Sequence, residues 1–581
     1  MDKKDVARIL GEIGTLLEIL GENPFKSRAY HNASRVIEGL SEDLGTLARE
    51  GKLDTISGIG KGLAEKIQEL LTSGKMSYYE EVKSKLPPGV PEMMRIPGLG
   101  PKRIKILYDK LKISSLEELR SAAEAHRLEK LEGFGAKTEE NILRGLTQIA
   151  THADKHLYPI AEGAALRIFE SLKALKQVKR VEVAGSLRRK KEVIGDIDIL
   201  VSAAQKDRSG IMERFVTHED VANVIAHGET KSSALLKEGI NCDVRIVTEA
   251  EFPFALNYFT GSKDHNVEMR SRARDRGWSL NEYAFTAIKE KSSRSKKRPP
   301  PCHDEEDIYK ALGLSYVPPE LRENLGEFQA AEKGKIPKLL EEKDLKGTFH
   351  CHTSESDGVN TLQEMTDAAR KRGWKYLGIA DHSKVAAYAG GLSVERLRKQ
   401  IKAIGKLNDT LKDFRVFAGS EVDILADGSL DFPDSVLASL DYVVVSIHSK
   451  FKMTEAEATK RIIKALTHRY VTILGHPTGR LLLEREGYPV NLPEVIKAAA
   501  DHGKSIEINA HPLRLDLDWR FLRLAKEKRV HICINPDAHT TAGLDDCRYG
   551  VGVARKGWLT AKDVVNAWNT KEVEKFFRTS R

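Results

Sequence analysis

Seven short apolar runs, "GTFHCHTS", "YLGIADHS", "RVFAGSEVDI", "YVVVSIHS", "VTILGHP", "SIEINAHP" and "VHICINPDAH", recur between Gly347 and His539, and almost every one ends in a residue type that binds metal. Helical patterns separate them, so the region reads as strands alternating with helices. In a parallel barrel the C-terminal ends of the strands converge on one mouth. That arrangement would gather His350, His352, His382, Glu421, His448, His476, Asp537 and His539 into one cluster, with Asp357 joining from the first loop. A single histidine at a strand end is usually structural; nine ligand types at corresponding ends predict a metal centre. Imidazole and carboxylate together suit Mn, Zn or Fe better than Mg alone.

A second acidic pattern lies upstream. In "VIGDIDILVSAA", from Val193, Asp196 and Asp198 share one face of a strand while Ile197 and Ile199 take the other. Asp243 follows in "GINCDVRIV", opposite Val244 and Ile246. Three carboxylates on neighbouring strands predict a site for two divalent cations, which would offset the mutual repulsion of the acids, activate an attacking hydroxyl and hold a polyphosphate. Gly185, Ser186 and Arg189 lie in a turn that can offer N-H, hydroxyl and guanidinium groups to a triphosphate.

Near the N-terminus one plan repeats three times: "ISGIGKGLAEKI" from Ile56, "IPGLGPKRIKIL" from Ile96 and "LEGFGAKTEENIL" from Leu131. Each is apolar, Gly, apolar, Gly, then an amphipathic helix, with glycine pairs Gly58/Gly60, Gly98/Gly100 and Gly133/Gly135. A helix that starts at a glycine turn leaves backbone N-H groups free to face an anion. The plan resembles the helix-hairpin-helix motif, which grips the DNA backbone without reading sequence, and Lys61, Lys66, Lys102 and Lys137 stand beside the turns.

At 581 residues the chain needs several domains. No apolar run approaches bilayer length, and "MDKKDVARIL" opens an amphipathic pattern rather than a signal sequence, so a cytoplasmic, nucleoid-associated protein is expected. Five cysteines with no CxxC pair argue against a disulfide framework and a cysteine zinc cluster. The net charge of +9 is compatible with nucleic acid and by itself supports only solubility.

"GSLRRKKEVIGDIDILV" and "NYFTGSKDHNVEMRSRARDRGWSLNEYAF" resemble the palm and thumb motifs of the family X DNA polymerases, the group of DNA polymerase beta. The resemblance implies that Asp196 and Asp198 bind both catalytic ions, Mg or Mn, and that Asp243 holds the catalytic one. It implies further that Ser186 and Arg189 touch the nucleotide phosphates, that Tyr258 and Phe259 line the sugar and minor-groove side, and that Gly261 belongs to the nucleotide site. Asn266 would lie near the base, and Arg270 near the template. "HADKHLYPIAEG" shows no arginine where some relatives place one against the triphosphate. The family's N-terminal domain often removes a 5′ deoxyribose phosphate through a lysine Schiff base. Lys66 stands at the matching position with Tyr30 and Lys61 nearby, although Gly62 replaces a second lysine common in relatives.

The C-terminal region resembles the PHP (polymerase and histidinol phosphatase) family, whose fold is a distorted seven-stranded barrel. That likeness implies up to three ions: His350, His352, Glu421 and Asp537 around one; Glu421, His448 and His476 around a second; Asp357, His382 and His539 around a third. Asn509 and Arg514 are candidate substrate contacts. The expected organisation is a helical domain at 1–85, helix-hairpin-helix fingers at 86–150, a nucleotidyltransferase palm with mixed sheet at 151–255 and a small thumb at 256–318. A linker at 319–343 and a (β/α)7 barrel at 344–581 complete the α+β and α/β chain. The stretch "KEKSSRSKKRPPPCHDEED" from Lys289 reads as an exposed loop.

The function expected is gap filling in base excision repair, by a monomeric DNA-directed polymerase acting on gapped or nicked DNA and dNTPs. The barrel would act as a 3′-5′ exonuclease, abasic-site endonuclease or 3′ phosphatase. The alternatives are a template-independent nucleotidyltransferase, a DNA-end-binding scaffold with weak catalysis, and a small-molecule phosphatase, which would leave the three hairpin motifs without a purpose.

Overall fold

The computed structural model describes residues 3–40, 44–56, 58–96, 98–152, 154–288 and 298–580. The chain divides into two compact units, Met1–Ala153 and Asp154–Arg581.

The first unit is helical. Helix Lys3–Leu20 places Val6, Leu10, Ile13 and Leu17 at helical spacing, and all four are buried in one core with Ile37, Ile67, Ile104 and Leu119. Each such burial contributes about 1.5–3 kcal/mol. The Asn23 side chain accepts from the Phe25 N-H at 2.9 Å and so caps the start of helix Pro24–Gly39.

The second unit opens with a five-stranded sheet in the order Arg180–Val183, Asp196–Ser202, Asn241–Val247, Lys231–Leu236, Val221–Ala226. The second and third of these are parallel and the other pairs antiparallel. Helix Tyr158–Lys173 packs on it through Ala161, Ala164, Ala165, Ile168 and Leu172. Helices Phe252–Thr260 and Lys263–Asp275 and the hairpin Trp278–Leu280/Phe285–Ala287 build the next layer around Phe254, Met269 and Phe285. Of the basic stretch from Lys289, residues 289–297 lie outside the described residues.

Residues 319–343, expected to form a linker, are packed into a core. Leu321, Phe328, Ala331 and Leu339 fill the same core as Met269 and Tyr309, and the Arg322 and Glu327 side chains are fully buried. Apolar residues scattered among charged ones hid this packing from a pattern-based reading.

Beyond Gly347 the strands are parallel and neighbours in chain order. A three-stranded sheet (Gly347–Thr348, Tyr376–Ile379, Arg415–Ala418) is followed by a five-stranded one (Glu421–Asp423, Val444–Ser446, Ile473–Leu474, Ser505–Asn509, Ile532–Asn535). The run "RVFAGSEVDI" supplies the last strand of the first sheet and the first of the second, broken at Gly419 and Ser420. Isolated parallel bridges His382–Glu421 and Cys351–Ala538 join the sheets on both sides. All five cysteines are buried and unpaired, and among the described residues no helix is long and apolar enough to cross a membrane.

Candidate active sites

The three N-terminal turns are built alike. Ile59, Leu99 and Phe134 each donate a backbone N-H to the carbonyl three residues before, on Ile56, Ile96 and Leu131 respectively. Each of these donors is buried between exposed or partly exposed glycines. Gly58, Gly98 and Gly133 have φ of +88°, +81° and +82°, where a side chain would be strained. Nothing lies within 4 Å of where a Cβ would stand on Gly60, Gly98, Gly100, Gly133 or Gly135. Helices Lys61–Ser73 and Pro101–Leu111 begin directly after Gly60 and Gly100 without a side-chain cap, and Pro101 has no N-H of its own. Lys61, Lys102 and Lys137 are exposed, and Lys137 pairs with Glu140 at 2.7 Å. Lys66 Nζ donates to the Gly62 carbonyl at 3.1 Å and lies 5.2 Å from the centre of the Tyr78 ring, which stacks on buried Tyr30. Lys26, 5.1 Å from the same ring, was not anticipated from sequence.

In the sheet, Asp198 stands directly across from Asp243. Asp196 is exposed and Asp198 partly buried, while Ile197 and Ile199 are in the core. Burial, and then the charges of Asp196 and Asp243, push the Asp198 carboxyl up to about 7. Gly185, at φ +64°, touches the Asp198 carboxylate so closely that any Cβ would collide with it. Asp243 accepts from Ser233 Oγ at 2.6 Å and pairs with Lys231 Nζ at 2.7 Å. The Lys231 ammonium thus neutralises part of an acid cluster whose oxygen donors fit Mg or Mn. Strand register, which the sequence does not print, places both residues there.

Ser186 is partly buried in the short helix Gly185–Arg188. Arg189 does not point freely at a phosphate site. Its Nε lies 3.2 Å from Glu323 Oε1 and its Nη1 donates to the Thr260 carbonyl. Gly261 lies against the same guanidinium. Glu323 also takes Lys191 at 3.4 Å and Lys556 at 2.8 Å. Lys556, from helix Cys547–Lys556 of the barrel, is fully buried at its side chain and donates to the Arg189 carbonyl at 2.9 Å. Burial pushes its amine down to about 8 despite Glu323. Tyr258 and Phe259 meet edge to face at 5.2 Å and remain partly exposed. Asn266 donates to the Tyr258 carbonyl at 2.7 Å, and Arg270 is exposed on the next turn.

The barrel mouth brings all nine expected ligands together. Three groups stand within reach of an ion: His350, His352 and Asp537; His382, Glu421 and His448; and His352, Asp357, His382 and His539. His476 Nε2 adds to the second at 3.0 Å from Glu421 Oε1, and Glu421 Oε2 lies 3.3 Å from His350 Nε2. His382 also lies 2.9 Å from Glu421, and His352 lies 3.7 Å from Asp357. His350 Nε2, His352 Nδ1, His382 Nδ1, His476 Nδ1 and Glu421 Oε2 are buried and make no hydrogen bond. Native interiors leave few such atoms, so this donor set fits divalent ions. Although burial opposes it, Glu421 pushes His382 up to about 11 and His448 up to about 9. Burial, with His539 and His382, pushes His352 down to about 4.

Three further carboxylates lie behind the ligands, and two of them meet one directly. Glu507 accepts from His350 Nδ1 at 2.8 Å, Asp423 stands 3.3 Å from His448 Nδ1, and Asp381 accepts from Thr353 N, Thr353 Oγ1, Ser356 Oγ and Gln400. None of the three was marked by the sequence pattern. The available signal was an acid inside a strand buried on both faces, as in Ser505–Asn509. Asn509 donates to Asp537 Oδ2 at 3.1 Å and Arg514 lies 3.6 Å from the same oxygen, so both hold a ligand.

Family models match a helix-hairpin-helix domain at residues 1–76, a SAM-like helix-hairpin-helix tandem at 90–147, a DNA polymerase beta palm at 160–238, a DNA polymerase beta thumb at 255–323 and a PHP domain at 348–511. With the palm acids and the His-rich barrel mouth, they define a beta-type DNA polymerase joined to a PHP domain. The "DNA polymerase/3′-5′ exonuclease PolX" of Bacillus subtilis (strain 168) is 38% identical over 580 residues, 100% of both chains. The chain belongs to this PolX branch of the family X DNA polymerases. A "Probable phosphatase" of Caldicellulosiruptor bescii is 31% identical over 207 residues, 34% of this chain and 81% of its own. DNA polymerase lambda of Rattus norvegicus is 27% identical over 292 residues, 46% of this chain and 48% of its own.

Proposed function

We propose that the protein fills short gaps in DNA and trims the 3′ ends of the strands it extends, working as a cytoplasmic monomer in base excision repair. The observation that carries this reading is the presence of two separate clusters of metal-ligand residue types, Asp196/Asp198/Asp243 and the nine barrel ligands, in one compact unit. Divalent ions, Mg or Mn on the palm acids and Mn, Zn or Fe on the barrel ligands, would supply charge neutralisation and lower the pKa of a bound hydroxyl. The chain's own residues do the rest. The hairpin turns hold backbone phosphates, Ser186 and the Gly185 turn receive the triphosphate, and Tyr258 and Phe259 wall the sugar. Tyr30, Tyr78 and Lys26 around Lys66 support a 5′ deoxyribose phosphate lyase role for that lysine.

Resemblance of the barrel to a probable phosphatase supports removal of 3′ phosphates as a further use of the same mouth. The test is extension of a labelled primer in a one-nucleotide gap with Mg or Mn, comparing wild type, Asp198→Ala and the double variant His350→Ala/Glu421→Ala. Template-directed incorporation should be lost only in the first variant and strand shortening only in the second. A wild type that does neither would sink the proposal.

A further inference from the structure

The lip of the barrel mouth carries an exposed aromatic ring on a pinned loop. Directly after the ligand His382, the segment Ser383–Leu392 is held at many points. Val385 N donates to Asp431 Oδ2 at 2.8 Å, Ala386 N to Ser383 O at 3.1 Å, Gly391 N to Ala386 O at 3.1 Å and Leu392 N to His382 O at 2.8 Å. Arg396 Nη1 donates to the Gly390 carbonyl at 3.0 Å. Gly390 sits at φ +66°, and a side chain on Gly391 would collide with the Ser383 carbonyl, so the loop can close this tightly only with glycine there. Its two ends and its middle are fixed, yet Val385 is 47% and Tyr388 74% exposed. The Tyr388 ring is centred 6.4 Å from that of His382. An apolar ring held out to solvent beside a site made of imidazoles and carboxylates is a surface for a flat partner. On a nucleic acid, that partner is a base.

We propose that Tyr388 stacks on the 3′-terminal base of the strand whose phosphodiester the barrel cuts, making the mouth selective for a base-bearing end. This rests on the exonuclease reading above and adds the group that recognises the nucleotide rather than its phosphate. Because every base has a π-face, the contact tolerates all four bases while discriminating against an end that lacks one.

The test uses the full chain and two 5′-labelled single strands of one sequence, ending in an ordinary nucleotide or in a baseless tetrahydrofuran residue. Tyr388→Ala should lower kcat/KM on the ordinary end by about 5- to 150-fold, mainly through KM, matching base stacking of about 1–3 kcal/mol. Its rate on the baseless end should equal that of wild type, and Tyr388→Phe should behave as wild type on both. Equal losses on both ends, no loss on the ordinary end, or a Phe variant as impaired as Ala would each overturn the proposal. A wild type that shortens neither strand would instead remove the exonuclease reading, and this inference with it.

Discussion

Replacing Glu507 by glutamine tests whether a residue outside the nine expected ligands decides which nitrogen of His350 is offered to an ion. Glu507 is fully buried and its two oxygens take four donors: His350 Nδ1 and Asn535 Nδ2 at 2.8 Å on Oε2, and the His476 N-H at 3.1 Å and Asn509 Nδ2 at 2.9 Å on Oε1. A glutamine can replace only one oxygen, and its NH2 would then face two donors whichever way it turns. Neither asparagine can flip to help, since Asn535 Oδ1 already accepts from Phe349 N and Asn509 Oδ1 from His511 N. Losing two buried hydrogen bonds to a charged acceptor costs about 3–6 kcal/mol. His350 can recover one by accepting at Nδ1, which puts its proton on Nε2, the atom facing Glu421 and Asp537. Metal affinity should therefore fall about 10- to 100-fold. The assay is metal content after dialysis, with strand shortening and gap filling measured on the same preparation of Glu507→Gln. Shortening should fall with the metal and return in part with excess Mn, while gap filling persists. Metal content and shortening both equal to wild type in a folded variant would refute the reasoning, as would equal loss of gap filling.

Three further outcomes follow from the geometry. Asp198 has its carboxyl raised by burial and its acidic neighbours, so it stabilises the metal-free fold fully below its unfolded value and loses that contribution as pH rises through about 7. In chelator, the thermal midpoint should fall as pH is raised from about 5 to about 8, and Asp198→Asn should flatten the fall. Glu305, between Arg188 and Arg322 at 2.6 Å each, is held down at about 2, so its stabilisation is present above the ordinary glutamate range and is lost as pH falls toward 2. Glu305→Gln strands the buried Arg322 and should cost about 3–5 kcal/mol in unfolding at neutral pH, a difference that vanishes in acid. For DNA binding, Lys61→Ala and Lys102→Ala should each reduce the slope of log K against log salt by about 0.9, whatever the sequence, and Lys137→Ala by less because Glu140 already holds it.

Periodicity carried much of the architecture. The alternation of Asp196, Ile197, Asp198 and Ile199 was enough to predict an acid face and a core face, and the structure sorts them that way. The recurrence of Gly-x-Gly likewise foretold the hairpin turns, because the first glycine of each pair takes a positive φ at which a side chain would be strained. What pattern could not supply was register and distant packing. Lys231 and Ser233 meet Asp243 only because their strand pairs with Asn241–Val247. Glu507 looked like one polar residue in a strand until both faces of that strand proved buried. Glu323 was hidden in a segment read as linker, so its hold on Arg189 was invisible.

That hold ties two parts of the chain separated by 367 positions, since Lys556 caps the Arg189 turn. A ribosome working from the N-terminus at ordinary speed would take roughly 20–70 s to travel between them. Until then Glu323 would lack its buried cation and the turn its cap. The order of synthesis thus leaves the turn at Arg189 uncapped in any chain that has yet to make helix Cys547–Lys556.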